Sequence, residues 1–87
     1  MGWTIKLGKK VEKTLSKLDK KAQIKIFEFL GQLEKKDNPR KDGKPLTGEF
    51  QGFWRYRVGD YRIMCDIKDK EISIVVIRIA HRKEVYK

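Results

Sequence analysis

Residues 53–67 read FWRYRVGDYRIMCDI, in which two strand-like runs flank a glycine-aspartate pair. Gly59, at the first central position of a two-residue turn, can adopt the positive φ that a type II′ turn requires. The stretch therefore predicts a β-hairpin that turns at residues 58–61. Its register places Arg57 opposite Arg62. The other predicted pairs are Val58 with Tyr61, Tyr56 with Ile63, and Trp54 with Cys65.

The two faces of this predicted hairpin differ in chemistry, because side chains alternate between faces along a strand. One face is apolar and suits a core; it collects Trp54, Tyr56, Val58, Tyr61, Ile63, Cys65 and Ile67. The other face carries Phe53, Arg55, Arg57, Arg62, Met64 and Asp66. Its centre is a cluster of guanidinium groups, which we expect on the side of the sheet away from the core.

The arginine cluster carries an electrostatic cost. Like charges directly opposite each other on a ladder repel, by roughly 1 to 3 kcal/mol at about 5 Å. A phosphate backbone is one partner that offsets this cost, because guanidinium groups bind phosphate oxygens in pairs. The alternative is that the arginines extend into solvent on an exposed sheet face, and the hairpin alone does not decide between the two.

The composition indicates one small, basic domain. The chain has 87 residues, and 22 Lys and Arg against 12 Asp and Glu give a net charge of +10. We expect a single domain over residues 1–87, and the charge favours a polyanionic partner such as nucleic acid or an acidic protein. No apolar run approaches the length of a membrane span and the N-terminus lacks the apolar core of a signal peptide, so we expect a cytoplasmic location.

The cysteine and histidine content argues against a disulfide and against a metal site. The chain has one cysteine, Cys65, and one histidine, His81. Together with scattered carboxylates they provide no metal-ligand spacing, so we expect no metal and no cofactor. Cys65 is interpreted as a small buried residue of the core face.

Segments on either side of the hairpin predict the rest of the fold. Trp3, Ile5 and Leu7 alternate with polar residues, which is typical of a short strand. Apolar residues then recur at helical spacing in two segments, the second with Asp19 as its N-cap. After the hairpin, residues 71–80 are apolar on both faces, which favours a central strand. The predicted fold class is α+β: two N-terminal helices packed on one face of a four-stranded antiparallel sheet, with Arg55, Arg57 and Arg62 on the open face.

The chain ends with AHRKEVYK, which predicts His81, Arg82 and Tyr86 close together after the last strand. A metal-free ribonuclease needs a base for the ribose 2′-hydroxyl, cations for the charge that develops on phosphorus, and a proton donor for the leaving oxygen. An imidazole, a guanidinium and a phenol are suitable groups for these tasks. The alternative is structural: Tyr86 anchors the end of the chain and His81 is a surface residue.

Four segments, NPR, GKPLTG, FWRYRVGDYRI and HRKEVY, occur in an order and at separations that resemble the RelE branch of the RelE/ParE toxin superfamily. The resemblance covers nearly the whole chain and implies a fold like that of the small microbial ribonucleases. It implies a toxin of a type II toxin-antitoxin system that cleaves messenger RNA in the ribosomal A site. The expected partners are a cognate antitoxin, in a complex of higher order, and the ribosome with its mRNA.

The same resemblance assigns roles to individual residues. Arg55 and Arg57 correspond to the basic residues of the first hairpin strand, which grip phosphate. Catalytic roles fall on Arg62, Arg82, Tyr86 and His81. Arg82 stabilises the transition state, and Tyr86 or His81 transfers protons. Tyr86 matches the tyrosine that acts as the base in RelE.

Two other functions remain open at this point. A ParE-like toxin shares the fold but poisons DNA gyrase and cleaves no RNA. A noncatalytic RNA-binding module would use the arginines only to hold phosphates. The joint presence of Arg62, Arg82 and Tyr86 favours the ribonuclease.

Overall fold

The structure is a computed structural model that describes residues 2–83. A short strand, β1 (Thr4–Leu7), leads into helices α1 (Lys9–Lys17) and α2 (Lys20–Glu34). The other strands follow as β2 (Lys44–Pro45), β3 (Trp54–Val58), β4 (Tyr61–Lys68) and β5 (Ser73–His81). The order of elements confirms the predicted α+β class.

Helix α2 begins as its pattern predicts, and both helices pack as their patterns predict. The Asp19 side chain accepts a hydrogen bond from the backbone N–H of Ala22 at 2.8 Å, which caps α2. The buried residues of the helices recur at helical spacing and pack into one cluster with the apolar face of the sheet. The helical members are Val11, Leu15, Ile26, Leu30 and Leu33, and the sheet contributes Tyr56, Ile63, Cys65, Ile67, Ile74, Val76 and Ile79.

The predicted sheet is wrong in two respects. It has five strands rather than four, in the order β1-β5-β4-β3-β2, and it is mixed because β1 pairs with β5 in parallel. The parallel pairing joins strands that are far apart in the chain, since the two helices and β2, β3 and β4 lie between β1 and β5. The fifth strand, β2, has only the residues Lys44 and Pro45, and the propensities of a lysine and a proline give no strand signal.

The segment between α2 and β3 is fastened to β3 and to the turn between β4 and β5. The hydroxyl of buried Tyr56 donates to the carbonyl of Pro39, and the guanidinium of Arg40 binds both carboxylate oxygens of Asp69, at 2.9 and 2.7 Å. Gly43 allows the close approach, because a Cβ there would lie 2.9 Å from the Tyr56 ring. These contacts fix the stretch that carries β2 along the edge of the sheet.

In the part of the chain that the structure describes, residues 2–83, no helix is long and apolar enough to cross a membrane.

Candidate nucleic-acid interface

The hairpin has the predicted register. Arg57 lies opposite Arg62, and Val58 lies opposite Tyr61. Gly59 has φ +57°, while Asp60 is not among the residues with positive φ, as a type II′ turn requires. Since Tyr56 and Ile63 of the same hairpin face the helices, alternation places Arg55, Arg57 and Arg62 on the opposite face, away from α1 and α2.

The strand pairings extend this arginine face beyond the hairpin. Lys44 pairs with Arg55, Arg55 with Met64, and Met64 with Arg78, which forms one row across β2, β3, β4 and β5. A second row runs through Arg57, Arg62 and Ala80. We call the cations of these two rows the arginine face: Lys44, Arg55, Arg57, Arg62 and Arg78. Arg57, Arg78 and Lys44 are exposed, and Arg55 and Arg62 are half-buried.

Sequence reasoning missed two members of the arginine face, Lys44 and Arg78. Lys44 lies in a strand too short to recognise by pattern. The face on which Arg78 lies depends on a β-bulge. Cys65 pairs with Val76, but the preceding Met64 pairs with Arg78, so β5 contains one extra residue at Ile77. The pattern of residues 71–80, apolar on both faces, was the available signal that the alternation breaks.

Two apolar residues form the base of the arginine face. Met64 is 2% exposed and Ala80 is 1% exposed, although both lie on the side of the sheet away from the helices. Their neighbours across the ladder are Arg55 and Arg78 for Met64, and Arg62 for Ala80. Long arginine stems can cover apolar atoms while their guanidinium groups stay in water. The charged groups are therefore presented above a solid base.

The excess positive charge on this face of the sheet is confined to these two rows. The next positions on the same face are Asp66 and Lys6, each of which pairs across the ladder with Val75. Asp66 lies 3.3 Å from the ammonium of Lys68, and Lys6 lies 3.6 Å from a carboxylate oxygen of Glu71. Ion pairs thus balance the charge there. Within residues 2–83, no salt bridge involves Lys44, Arg55 or Arg57.

Arg82 is held against the hairpin turn. Its backbone N–H donates to the carbonyl of Asp60 at 2.6 Å, and its Nε lies 3.6 Å from the Asp60 carboxylate. Asp60 belongs to the turn that joins the strands of Arg57 and Arg62. Arg82, whose guanidinium group is exposed, therefore lies at the end of the sheet that carries the second arginine row.

His81 lies on the other side of the sheet. It pairs with Tyr61, whose ring packs against the core, and the two rings meet edge-on with centroids 5.2 Å apart. Its Nδ1 accepts a hydrogen bond from the backbone N–H of Lys83 at 3.2 Å, which places the proton of a neutral imidazole on Nε2. His81 also lines an open cleft of about 340 Å³ together with Lys21 and Lys25 of α2. The structure does not bring His81 onto the arginine face.

Tyr86 lies outside the described residues, so its predicted role stays a prediction. Cys65 is buried and free, and burial raises the pKa of its thiol to about 12. Within residues 2–83, no three His, Cys, Asp or Glu side chains form a group that could hold a metal ion. The chemistry that the described residues offer is cationic: they can bind phosphates and stabilise negative charge that develops on one.

Comparison with known proteins decides the family. Residues 5–86 match the family described as ParE toxin of type II toxin-antitoxin system, parDE. The chain belongs to the RelE/ParE toxin superfamily. This membership confirms the resemblance drawn from the hairpin and the C-terminal motif.

Individual relatives of this toxin carry RelE-type names. It is 31% identical to toxin RelG of Mycobacterium tuberculosis over 88 residues, covering 100% of the chain and 99% of the relative. It is 35% identical to toxin RelE of the same organism over 74 residues, covering 84% and 74%. Its fold matches a chain of the toxin-antitoxin complex RelBE2 of M. tuberculosis with a TM-score of 0.85 and 29% identity, covering 97% and 95%.

Proposed function

We propose that this toxin is an endoribonuclease that cleaves messenger RNA in the A site of the ribosome. The observation that carries the proposal is the arginine face, which gathers five cations on an open sheet surface next to Arg82. The RelG and RelE names of the relatives support the RelE branch over a gyrase poison. A polyanion is the natural ligand of a cluster of guanidinium groups.

In the proposed reaction, the ribose 2′-oxygen attacks the adjacent phosphorus and the bond from phosphorus to the 5′-oxygen breaks. Arg55 and Arg57 hold the phosphate, and Arg62 and Arg82 stabilise the extra negative charge of the five-coordinate transition state. A base takes the proton of the 2′-hydroxyl, and an acid supplies one to the departing 5′-oxygen. The products are a cyclic phosphate and a free 5′-hydroxyl.

The position of His81 supports giving the base role to Tyr86. His81 packs on Tyr61 at the helix-covered side of the sheet, away from Arg57 and Arg62. A proton acceptor must come within hydrogen-bond reach of the 2′-hydroxyl, which here lies over the arginine face. Tyr86 follows Arg82 by four positions in the sequence.

We also propose that a cognate antitoxin inhibits the toxin in a complex of higher order. Solved relatives include complexes of RelE toxins with RelB antitoxins. The net charge of +10 favours an acidic segment in the partner. On α2, Ile24 and Phe27 are 50% and 53% exposed and lie on one face three residues apart, which favours apolar side chains in the same segment.

The test is cleavage on ribosomes programmed with a defined message, with the 5′ ends of the fragments mapped by primer extension. We expect cuts within the codon that occupies the A site and none in the same message without ribosomes. A matched pair of single-charge variants separates the arginine face from general charge. Arg57→Gln on the open face should slow cleavage, whereas Lys13→Gln on the exposed side of α1 should not.

A supercoiling assay with DNA gyrase runs in parallel, because the matching family takes its description from ParE. Inhibition of gyrase together with intact messages would refute the ribonuclease and establish the gyrase poison. Binding of RNA without any cleavage of ribosome-bound messages would instead indicate the noncatalytic module.

A further inference from the structure

The β-bulge in β5 decides on which side of the sheet Arg78 emerges. From the turn onward, Lys68 pairs with Ser73, Ile67 with Ile74, and Cys65 with Val76. Continued without interruption, this register would put Arg78 opposite Ile63, whose side chain is fully buried in the core. The extra residue at Ile77 shifts the pairing, so Arg78 lies opposite Met64 on the open face.

A local irregularity that moves a charge from core to surface has an obvious structural benefit, since a buried unpaired guanidinium is very costly. An apolar residue in a regular strand would avoid that cost without a bulge. The bulge brings Ile79 opposite Ile63 in the core and turns Arg78 to the open face. What it achieves is a fifth cation on the arginine face, in the row of Lys44 and Arg55.

We propose that Arg78, with Lys44, binds backbone phosphates of the messenger RNA next to the phosphate that is cleaved. This inference rests on the proposed ribonuclease function and adds two substrate-binding residues to it. Neighbouring strands lie about 4.8 Å apart, so Arg55 and Arg78, separated by β4, are about 10 Å apart at their backbones. Long side chains on both sides of buried Met64 can therefore hold phosphates of successive nucleotides.

The charge distribution also indicates the path of the bound RNA across the sheet. The two cationic rows run across the strands of the sheet, from β2 to β5. Along the strands, away from the hairpin turn, the cations end at the balanced pair of Asp66 and Lys68. A phosphate backbone that keeps contact with cations must therefore cross the sheet from Lys44 toward Arg78 rather than follow β4.

Lys44 is held in place for such a contact despite the shortness of β2. The segment that precedes it is tied down by the bond from Tyr56 to Pro39 and by the two bonds between Arg40 and Asp69. The ammonium of Lys36 also pairs with the carboxylate of Asp42, which holds the pKa of Asp42 below its usual value. Lys44 therefore follows a segment that side-chain contacts hold in place.

The first experiment is single-turnover cleavage on programmed ribosomes over a range of toxin concentrations. We expect Arg78→Gln and Lys44→Gln each to raise the half-saturating concentration about tenfold, while the rate at saturation stays within about twofold of the wild type. Arg78→Lys should recover most of the loss. Lys13→Gln is the matched control, an exposed lysine on α1 that leaves both values unchanged. Equal behaviour of Arg78→Gln and Lys13→Gln would overturn the proposal.

A second arm tests that the contacted phosphate belongs to the message and not to ribosomal RNA. Messages with one neutral methylphosphonate linkage beside the cleavage site are compared in the wild type and in Arg78→Gln. If Arg78 binds that phosphate, neutralising it weakens the wild type but not the variant, because the two changes remove the same interaction. Full additivity at every linkage within two nucleotides of the cut would refute the assignment to mRNA.

A third arm does not depend on cleavage. Binding of a single-stranded RNA oligonucleotide is measured by fluorescence anisotropy at several salt concentrations. Each phosphate contact contributes about 0.7 to the slope of log affinity against log salt, so Arg78→Gln and Lys44→Gln should each reduce the slope by about that amount. If the wild type binds RNA in this way but cuts no message, the proposed function fails while the binding site stands. An unchanged slope in both variants would remove the site itself.

Discussion

Arg62→Ala separates catalysis from folding most directly. Arg62 lies in the middle of the arginine face, half-buried, directly opposite Arg57 and next to Ala80 on β5. Its backbone remains in the ladder in the variant, and the core residues on either side of it, Tyr61 and Ile63, point toward the helices. The substitution therefore removes a guanidinium group and its stem without opening a cavity in the core.

The magnitude follows from the register. Cβ atoms of directly opposed residues are about 5 Å apart, so two guanidinium groups at about 6 Å repel by roughly 0.7 to 3 kcal/mol between the effective dielectric constants of water and of a protein surface. Removing Arg62 relieves this repulsion and loses packing of the stem, which acts in the opposite direction. We expect the free energy of unfolding to change by less than about 1 kcal/mol. Loss of a transition-state contact should lower the cleavage rate 10²- to 10³-fold, about 3 to 4 kcal/mol of barrier.

The assay combines single-turnover cleavage at saturating toxin with thermal unfolding followed by circular dichroism. Arg62→Lys is the control, since it keeps the charge but not the paired geometry of the guanidinium, and it should fall between the wild type and alanine. A fall in Tm of more than about 8 °C in Arg62→Ala, about 1 kcal/mol or more for a domain of this size, would show that the residue is structural. A wild-type rate would show that the arginine face is not the catalytic surface.

Three further predictions concern groups away from the centre of the face. On programmed ribosomes, Tyr86→Phe should abolish most of the cleavage while His81→Gln retains it; the opposite result would transfer the base role to the imidazole. Tyr56→Phe should lower the free energy of unfolding by about 1 to 3 kcal/mol, because the carbonyl of Pro39 loses its partner in a buried site, and an unchanged urea midpoint would contradict this. Cys65 should resist iodoacetamide at pH 8 and react once urea unfolds the chain, because burial raises the thiol pKa to about 12 and keeps the thiolate scarce; rapid labelling of the native protein would refute it.

Local patterns predicted the elements that depend on neighbouring residues in the chain. The Gly59 turn, the pairing of Arg57 with Arg62 and the Asp19 cap all follow from short segments, and the structure has each of them. The sheet topology required information that no segment contains. Thr4–Leu7 pairs in parallel with the last strand, almost the whole chain away, and such a pairing is decided by packing over the whole domain.

The candidate site was predictable to the same extent. Arg55, Arg57 and Arg62 share a face because the hairpin register follows from its turn. His81 was expected near them, but alternation through the Tyr61 pair places it on the helix-covered side. Arg78 could not be placed, because a regular β5 would bury it and only the bulge at Ile77 reverses its direction. Contacts that depend on one extra residue in a strand are not visible in a pattern of apolar and polar residues.

Because the helices cover only one face of the sheet, the two sides of each strand have different roles. Residues directed to the helices form a continuous buried cluster, so the stability of the domain depends on them. The opposite residues need no core partners, which lets five cations gather there without the cost of burying an unpaired charge. Met64 and Ala80 are almost fully buried on that side, and their neighbours across the ladder are arginines, which project from fixed positions in the sheet. Their positions are therefore set by the sheet before any substrate binds, as preorganised stabilisation of a developing charge requires.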